Sequence, residues 1–155
     1  MVERNDPART GVKVGRIVGL LTAALAVARL LSVQAEYFRG FSVFLELLGI
    51  EPGFSVTVLF WGNALVIAGA RYGLSYVLGS LIGVVYDWID RESVFVVLAL
   101  ALVVGVADGV YSGLEARNVL FGVGYLLAWL CYVPLFQWLY DPGAGDDRAT
   151  PVRLS

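Results

Sequence analysis

The sequence predicts an all-α protein, a polytopic transmembrane helical bundle of about five spans with a cytoplasmic N-terminus. Of its 155 residues, 59% are apolar and 15% charged, where a soluble domain carries about 25% charged residues. The mean hydropathy is +0.77. Its apolar residues also come in runs close to the roughly 20 residues that a spanning helix needs. A water-soluble chain of this length has too little interior to hide so much apolar surface. Its length suits a single domain.

Residues 1–13 are polar and mixed in charge, with Pro7 and Gly11, and read as a disordered or surface arm. The first span, 14–33, is VGRIVGLLTAALAVARLLSV, interrupted by Arg16 and Arg29. It also has the outline of a secretory signal: basic residues, an apolar run from Ile17 to Ala28, then Val33-Gln34-Ala35. Cleavage there would leave four spans; Arg29 and the long polar arm favour retention. Residues 36–53 read as an interfacial amphipathic segment or as an ordinary ordered loop. Phe41, Phe44, Leu45 and Leu48 stand at helical i, i+3, i+4 and i+7, and Gly49 and Pro52 end it.

Two apolar runs, 54–70 and 73–89, are parted by Arg71 and Tyr72 alone, and together they far exceed a bilayer. They read as a hairpin turning at Arg71-Tyr72-Gly73. After a polar turn at Asp90-Arg91-Glu92 comes the span 93–113, whose one charge is Asp108. The last span, 119–140, holds Pro134, which deprives the Leu130 carbonyl of its donor and predicts a kink. Residues 141–155 are rich in Pro, Gly and Asp and read as a disordered tail.

Lysine and arginine distribution orients the bundle. With the N-terminus in the cytoplasm, five spans place Arg4, Arg9, Lys13, Arg16, Arg71 and Arg117 on the inner side. The outer side then gathers most of the acidic residues. Trp88, Trp138 and Tyr140 fall at the outer interface and Tyr72 at the inner one, as aromatic belts require. The expected location is the cell membrane, with the chain crossing it several times.

The chain has no histidine, which excludes histidine-ligated metals, histidine-ligated haem and histidine-based nucleophilic catalysis. Cys131 is the single cysteine, so neither an internal disulfide nor a redox pair can form. No enzymatic activity, cofactor or nucleic-acid partner is expected. The expected associations are the bilayer itself and either copies of the chain or another membrane protein.

Inside the predicted spans, Asp108 stands out. A carboxylate at that depth costs several kcal/mol unless paired, hydrated or protonated. Ser112 and Glu115 follow at i+4 and i+7 and share its face. Asp108 therefore suits an ion or proton pathway, or a structural pair with Arg71, Arg117 or Arg16. Arg29 is expected to snorkel to the outer interface or to pair with Asp87, and its depth keeps it away from Asp108. Asn63 and Ser80, at matching depths in the two arms of the hairpin, suit an interhelical hydrogen bond.

Small residues recur every four positions: Gly15 and Gly19 with Gly11 and Ala23, Gly79 and Gly83 with Ser75, and Gly105, Gly109 and Gly113 with Ala101. Lipid supplies no hydrophobic drive between helices, so such ridges mark close backbone seams. Tyr125, Trp129, Tyr132 and Phe136 form an aromatic stripe suited to packing or lipid contact. Together these features favour a non-enzymatic accessory or assembly subunit of a membrane complex. The alternative is a small transporter or channel component with Asp108 on its pathway.

Overall fold

The computed structural model describes residues 6–49, 53–89 and 93–140. The polar turn expected at 90–92 and the tail at 141–155 lie outside the described residues. All described elements are helical: α1 (Pro7–Ser32), α2 (Gln34–Leu47), α3 (Gly53–Ile89), α4 (Val94–Ala116), α5 (Val119–Leu130) and α6 (Tyr132–Leu139). Four helical stretches are long and apolar enough to cross a membrane: α1, α3, α4, and α5 with α6.

The first helix starts earlier than the expected surface arm allows. Asp6 caps it by accepting from the Ala8 backbone N–H at 2.9 Å, and Pro7 occupies the first turn, where its missing donor costs nothing. Thr10, Gly11 and Val14 are buried, so residues 7–13 belong to the packed bundle. Only Val33 separates α1 from α2. At the far end of α2, Gly49 takes a positive φ of 72°, which a glycine adopts without penalty. The aromatic face of α2 meets α3 through Tyr37 and Phe38, whose rings lie 5.5 and 5.1 Å from that of Phe60.

The expected hairpin at Arg71-Tyr72-Gly73 does not form. The helix α3 runs unbroken for 37 residues, about 55 Å at 1.5 Å per residue. No proline lies between Pro52 and Pro134, and a lone glycine inside a helix costs only about 1 kcal/mol. The expected turn rested on length, the two runs together exceeding a bilayer, with Arg71 and Tyr72 as the break between them; the structure instead neutralises Arg71 inside the bundle and lets α3 run on past the ends of its neighbours. The five expected spans therefore become four. One consequence is geometric: α4 now runs in the same direction as α1, so their C-terminal ends meet. A second is that Asn63 and Ser80 sit on one helix, separated by about 25 Å, and cannot bond to each other.

Two glycine seams hold the helices in pairs. Along α1 and α3 the backbones nearly touch: a Cβ on Gly11 would lie 2.7 Å from the Gly79 carbonyl oxygen, and one on Gly83 would lie 2.6 Å from that of Pro7. Gly15 packs on Gly79, and Gly19 meets Tyr72 and Ser75. Along α4 and α5, a Cβ on Gly109 would lie 2.7 Å from the carbonyl oxygen of Gly122, and Gly113 faces Gly122 as well. Gly105 fits under Trp129. Such closeness maximises dispersion contact where hydrophobic drive is absent. Thr22 and Ser75 add a buried hydroxyl pair at 2.9 Å across the first seam.

Near the N-terminal end of α1 the two pairs close on an apolar core of Val14, Val18, Ile82, Tyr86, Val97, Ala101, Trp129, Tyr132 and Phe136. The aromatic stripe of the last span is thus interior packing, not lipid contact. That span breaks at Cys131, three residues before Pro134, into α5 and α6. Tyr132 satisfies its buried hydroxyl by donating to the Gly79 carbonyl at 2.7 Å, which ties α6 to α3.

The seams make a contrast testable. Gly79→Ala, whose Cβ would fall onto Gly15, should lower stability by about 1–3 kcal/mol through overpacking. Gly73→Ala, which meets open space, should be neutral or stabilising by up to about 1 kcal/mol. Thermal unfolding of the purified variants in detergent checks both.

Candidate functional site

The bundle brings one cation and one carboxylate together in its interior. Arg71 projects from the middle of α3, Asp108 from α4, and their side chains are 16% and 13% exposed. The Arg71 Nη1 donates to Asp108 Oδ1. Its Nη2 donates to the Ser112 hydroxyl at 3.0 Å, and that hydroxyl donates to Asp108 Oδ1 at 3.4 Å. The second carboxylate oxygen, Oδ2, accepts from the Trp129 indole at 3.1 Å. Tyr125 completes the enclosure, its ring centroid 4.7 Å from the guanidinium carbon, within cation–π range.

Each part has a local cause. Asp108 and Ser112 are four residues apart on α4 and therefore stand one above the other. Tyr125 and Trp129 repeat the same spacing on α5. The glycines of the α4–α5 seam draw that helix close enough for the indole to reach the carboxylate. A buried indole N–H needs an acceptor, and a buried guanidinium and carboxylate need one another and further hydrogen bonds. Here the net charge is zero and both oxygens of Asp108 are engaged.

A second ion pair joins Arg29 of α1 to Glu115 of α4 at 2.7 Å, with side-chain exposures of 27% and 43%. Glu115 lies seven residues beyond Asp108, about 10 Å along the helix. This arrangement corrects two expectations. Arg29 lies at the opposite end of the bundle from Asp87, and it shares its end with Asp108. Both follow from α3 crossing once instead of twice. Arg29, Arg71, Asp108, Glu115 and Tyr125 line one cleft of about 700 Å³, whose remaining wall is largely apolar side chains of α1, α3 and α4. Ser112 is fully buried behind Asp108.

Of the residues singled out from sequence, Asp108, Ser112 and Glu115 share this region with Arg29. Asn63 and Ser80 stand apart on α3, both half-buried. Gly15, Gly19, Gly79 and Gly83 occupy one seam, and Gly105, Gly109 and Gly113 the other. Sequence reasoning missed Tyr125 and Trp129 as partners of the ion pair, and Gly122 as the small residue facing Gly109. The available signal was spacing: Tyr125 and Trp129 lie on one face, and an indole in the bilayer interior requires an acceptor. Among the described residues, no three acidic, cysteine or histidine side chains converge on a metal-sized site. Comparison with protein-family models, with curated proteins and with solved structures finds no match.

The network should respond asymmetrically to mutation. Arg71→Met or Asp108→Leu alone strands a charge in the interior and should cost about 3–5 kcal/mol. The double variant removes both charges and should recover much of that loss. Chemical or thermal unfolding of the four proteins in one detergent gives the coupling directly.

Proposed function

We propose that the chain is a non-enzymatic accessory subunit of a membrane complex, docking through α3 onto a transmembrane helix of another protein. The carrying observation is an open small-residue face. Gly62, Gly69 and Gly73 stand at i, i+7 and i+11, on one side of α3, and a Cβ at any of them would meet nothing within 4 Å. The glycines of the two internal seams are filled by neighbouring backbone or side chains, so this third ridge differs in kind. Leu65 and Val66 flank it, 74% and 70% exposed, and Ser80 continues the same face two turns on from Gly73. In lipid, a glycine ridge with one hydroxyl is the surface against which a second helix packs closely.

Length supports the same reading. By the level of the Arg29–Glu115 pair, α1 and α4 are ending, while α3 continues for roughly ten more residues, about 15 Å. Val58, Leu59 and Trp61 on that extension are about half exposed, and α2 covers it in part through Phe60. A partner subunit would cover the remainder.

The alternative, an ion or proton pathway through Asp108, has one feature in its favour, since Asp108 and Glu115 line the same cleft. Two features weigh against it. Asp108 is committed to Arg71, Ser112 and Trp129. Beyond the cleft, the other half of the bundle is filled by the apolar core from Val14 to Phe136.

Gentle extraction from native membrane followed by native mass spectrometry tests the reading. A second, different subunit at fixed stoichiometry is expected, lost on Gly69→Leu and retained on Val110→Leu, a change on the exposed face of α4. A lone chain, a complex of identical copies, or a partner indifferent to Gly69→Leu would overturn it.

A further inference from the structure

The cleft between α3 and α4 lies on a different face of α3 from the open glycine ridge, and it has the dimensions of a ligand site. Its volume, about 700 Å³, falls in the range of roughly 300–1,000 Å³ typical of sites for small molecules. We propose that it holds one hydrocarbon chain of a phospholipid, with the head group lying beside the Arg29–Glu115 pair.

Leu74, Val103 and Tyr111 line this concavity, yet they are 52%, 67% and 61% exposed. They face outward between α3 and α4, so the cleft opens sideways into the hydrocarbon and not along the bundle axis. Lining residues on α3 run from Ile67 to Leu78, about 17 Å along the helix. One leaflet of a hydrocarbon core is about 15 Å deep, half of roughly 30 Å. The cleft therefore begins at the surface pair Arg29–Glu115 and ends near the membrane middle, the reach of one lipid chain.

Reach and polarity then select the occupant. A transmembrane helix continues across both leaflets, about 30 Å, whereas the lining on α3 spans about 17 Å, from Ile67 to Leu78. Water needs two to four polar partners at each site, whereas the polar groups of the Arg71–Asp108 floor already engage one another, Ser112 and Trp129. The walls, from Ala26 and Leu30 to Leu74 and Val104, are apolar. A slender alkyl chain matches both the reach and the lining, and it shields the edge of the ion pair from anything that would compete for it. At the mouth, the Arg29–Glu115 pair marks the level at which the polar head group would lie.

Photolabelling of the intact chain in phosphatidylcholine vesicles tests this. A trace of phosphatidylcholine carrying a diazirine midway along one acyl chain is activated, and labelled residues are mapped by mass spectrometry. Leu74 and Val77 make the decisive pair, one turn apart on α3 and 52% and 51% exposed, the first in the cleft and the second outside it. Labelling of Leu74 should exceed that of Val77 by roughly tenfold, the ratio that about 1.4 kcal/mol of preferential occupancy gives. Ala107→Trp, which fills the cleft, should bring Leu74 down to the level of Val77. Equal labelling of the two residues in the unaltered chain would overturn the proposal. Labelling of Leu74 by a water-soluble carbene precursor in place of the lipid probe, or its cross-linking to another polypeptide, would do so too.

Discussion

The ion pair between Arg71 and Asp108 is the interaction on which the arrangement of this bundle depends. An arginine in the middle of an apolar helix has two outcomes available. It can force the chain to turn at the membrane surface, or it can remain within the bilayer if a carboxylate meets it there. Removing a charge from water costs several kcal/mol per ion after relaxation, and that cost is offset only by close geometry and additional hydrogen bonds. Ser112, Trp129 and Tyr125 provide them. With the charge neutralised, α3 can continue as one helix of 37 residues. The direction of every later helix follows from that continuity.

The ion pair works together with the glycine seams. Arg71 and Asp108 lie on helices that pack chiefly with other partners, α3 with α1 and α4 with α5. The seams make two rigid pairs by bringing backbones to contact distance. Between the pairs, at the N-terminal end of α1, the apolar core closes the interior. At the other end α3 and α4 part to form the cleft, and Arg71 bridges the gap. The same division gives α3 three distinct faces: one spent on α1, one on the cleft, and one of glycines left open. The face open to a protein partner and the cleft for a lipid chain are thus separate surfaces.

Much of this was legible in the sequence. The fold class followed from hydropathy and run length, and the four-residue recurrence of small residues marked the helix faces that meet in the seams. Asp108 stood out as the one charge in its span. Two features were not legible. The spacing of Arg71-Tyr72-Gly73 between apolar runs is the same for a turn and for a helix with a paired arginine, and only a partner's position in space tells them apart. The long reach from Asp108 to Trp129 and Tyr125 depended on Gly109 meeting Gly122, a pairing that no local pattern specifies. Once α3 was read as a hairpin, the errors over Arg29, Asn63 and Ser80 followed together, because a single added crossing reverses the ends of every helix after it. The start of α1 was missed for a different reason: Asp6 and Pro7 form an N-terminal cap inside what reads as a polar arm.

The single crossing of α3 is most directly tested by a distance across the ends of α1 and α4. Spin labels at Ser32 and Arg117, in a chain with Cys131→Ser, can be measured by double electron–electron resonance in bilayers. A continuous α3 puts both labels at one end of the bundle, beside the Arg29–Glu115 pair, and predicts a distance well below the hydrocarbon thickness of about 30 Å. A distance at or above that thickness would place the two ends on opposite sides of the membrane, and would contradict both the unbroken helix and the Arg71–Asp108 pair built on it.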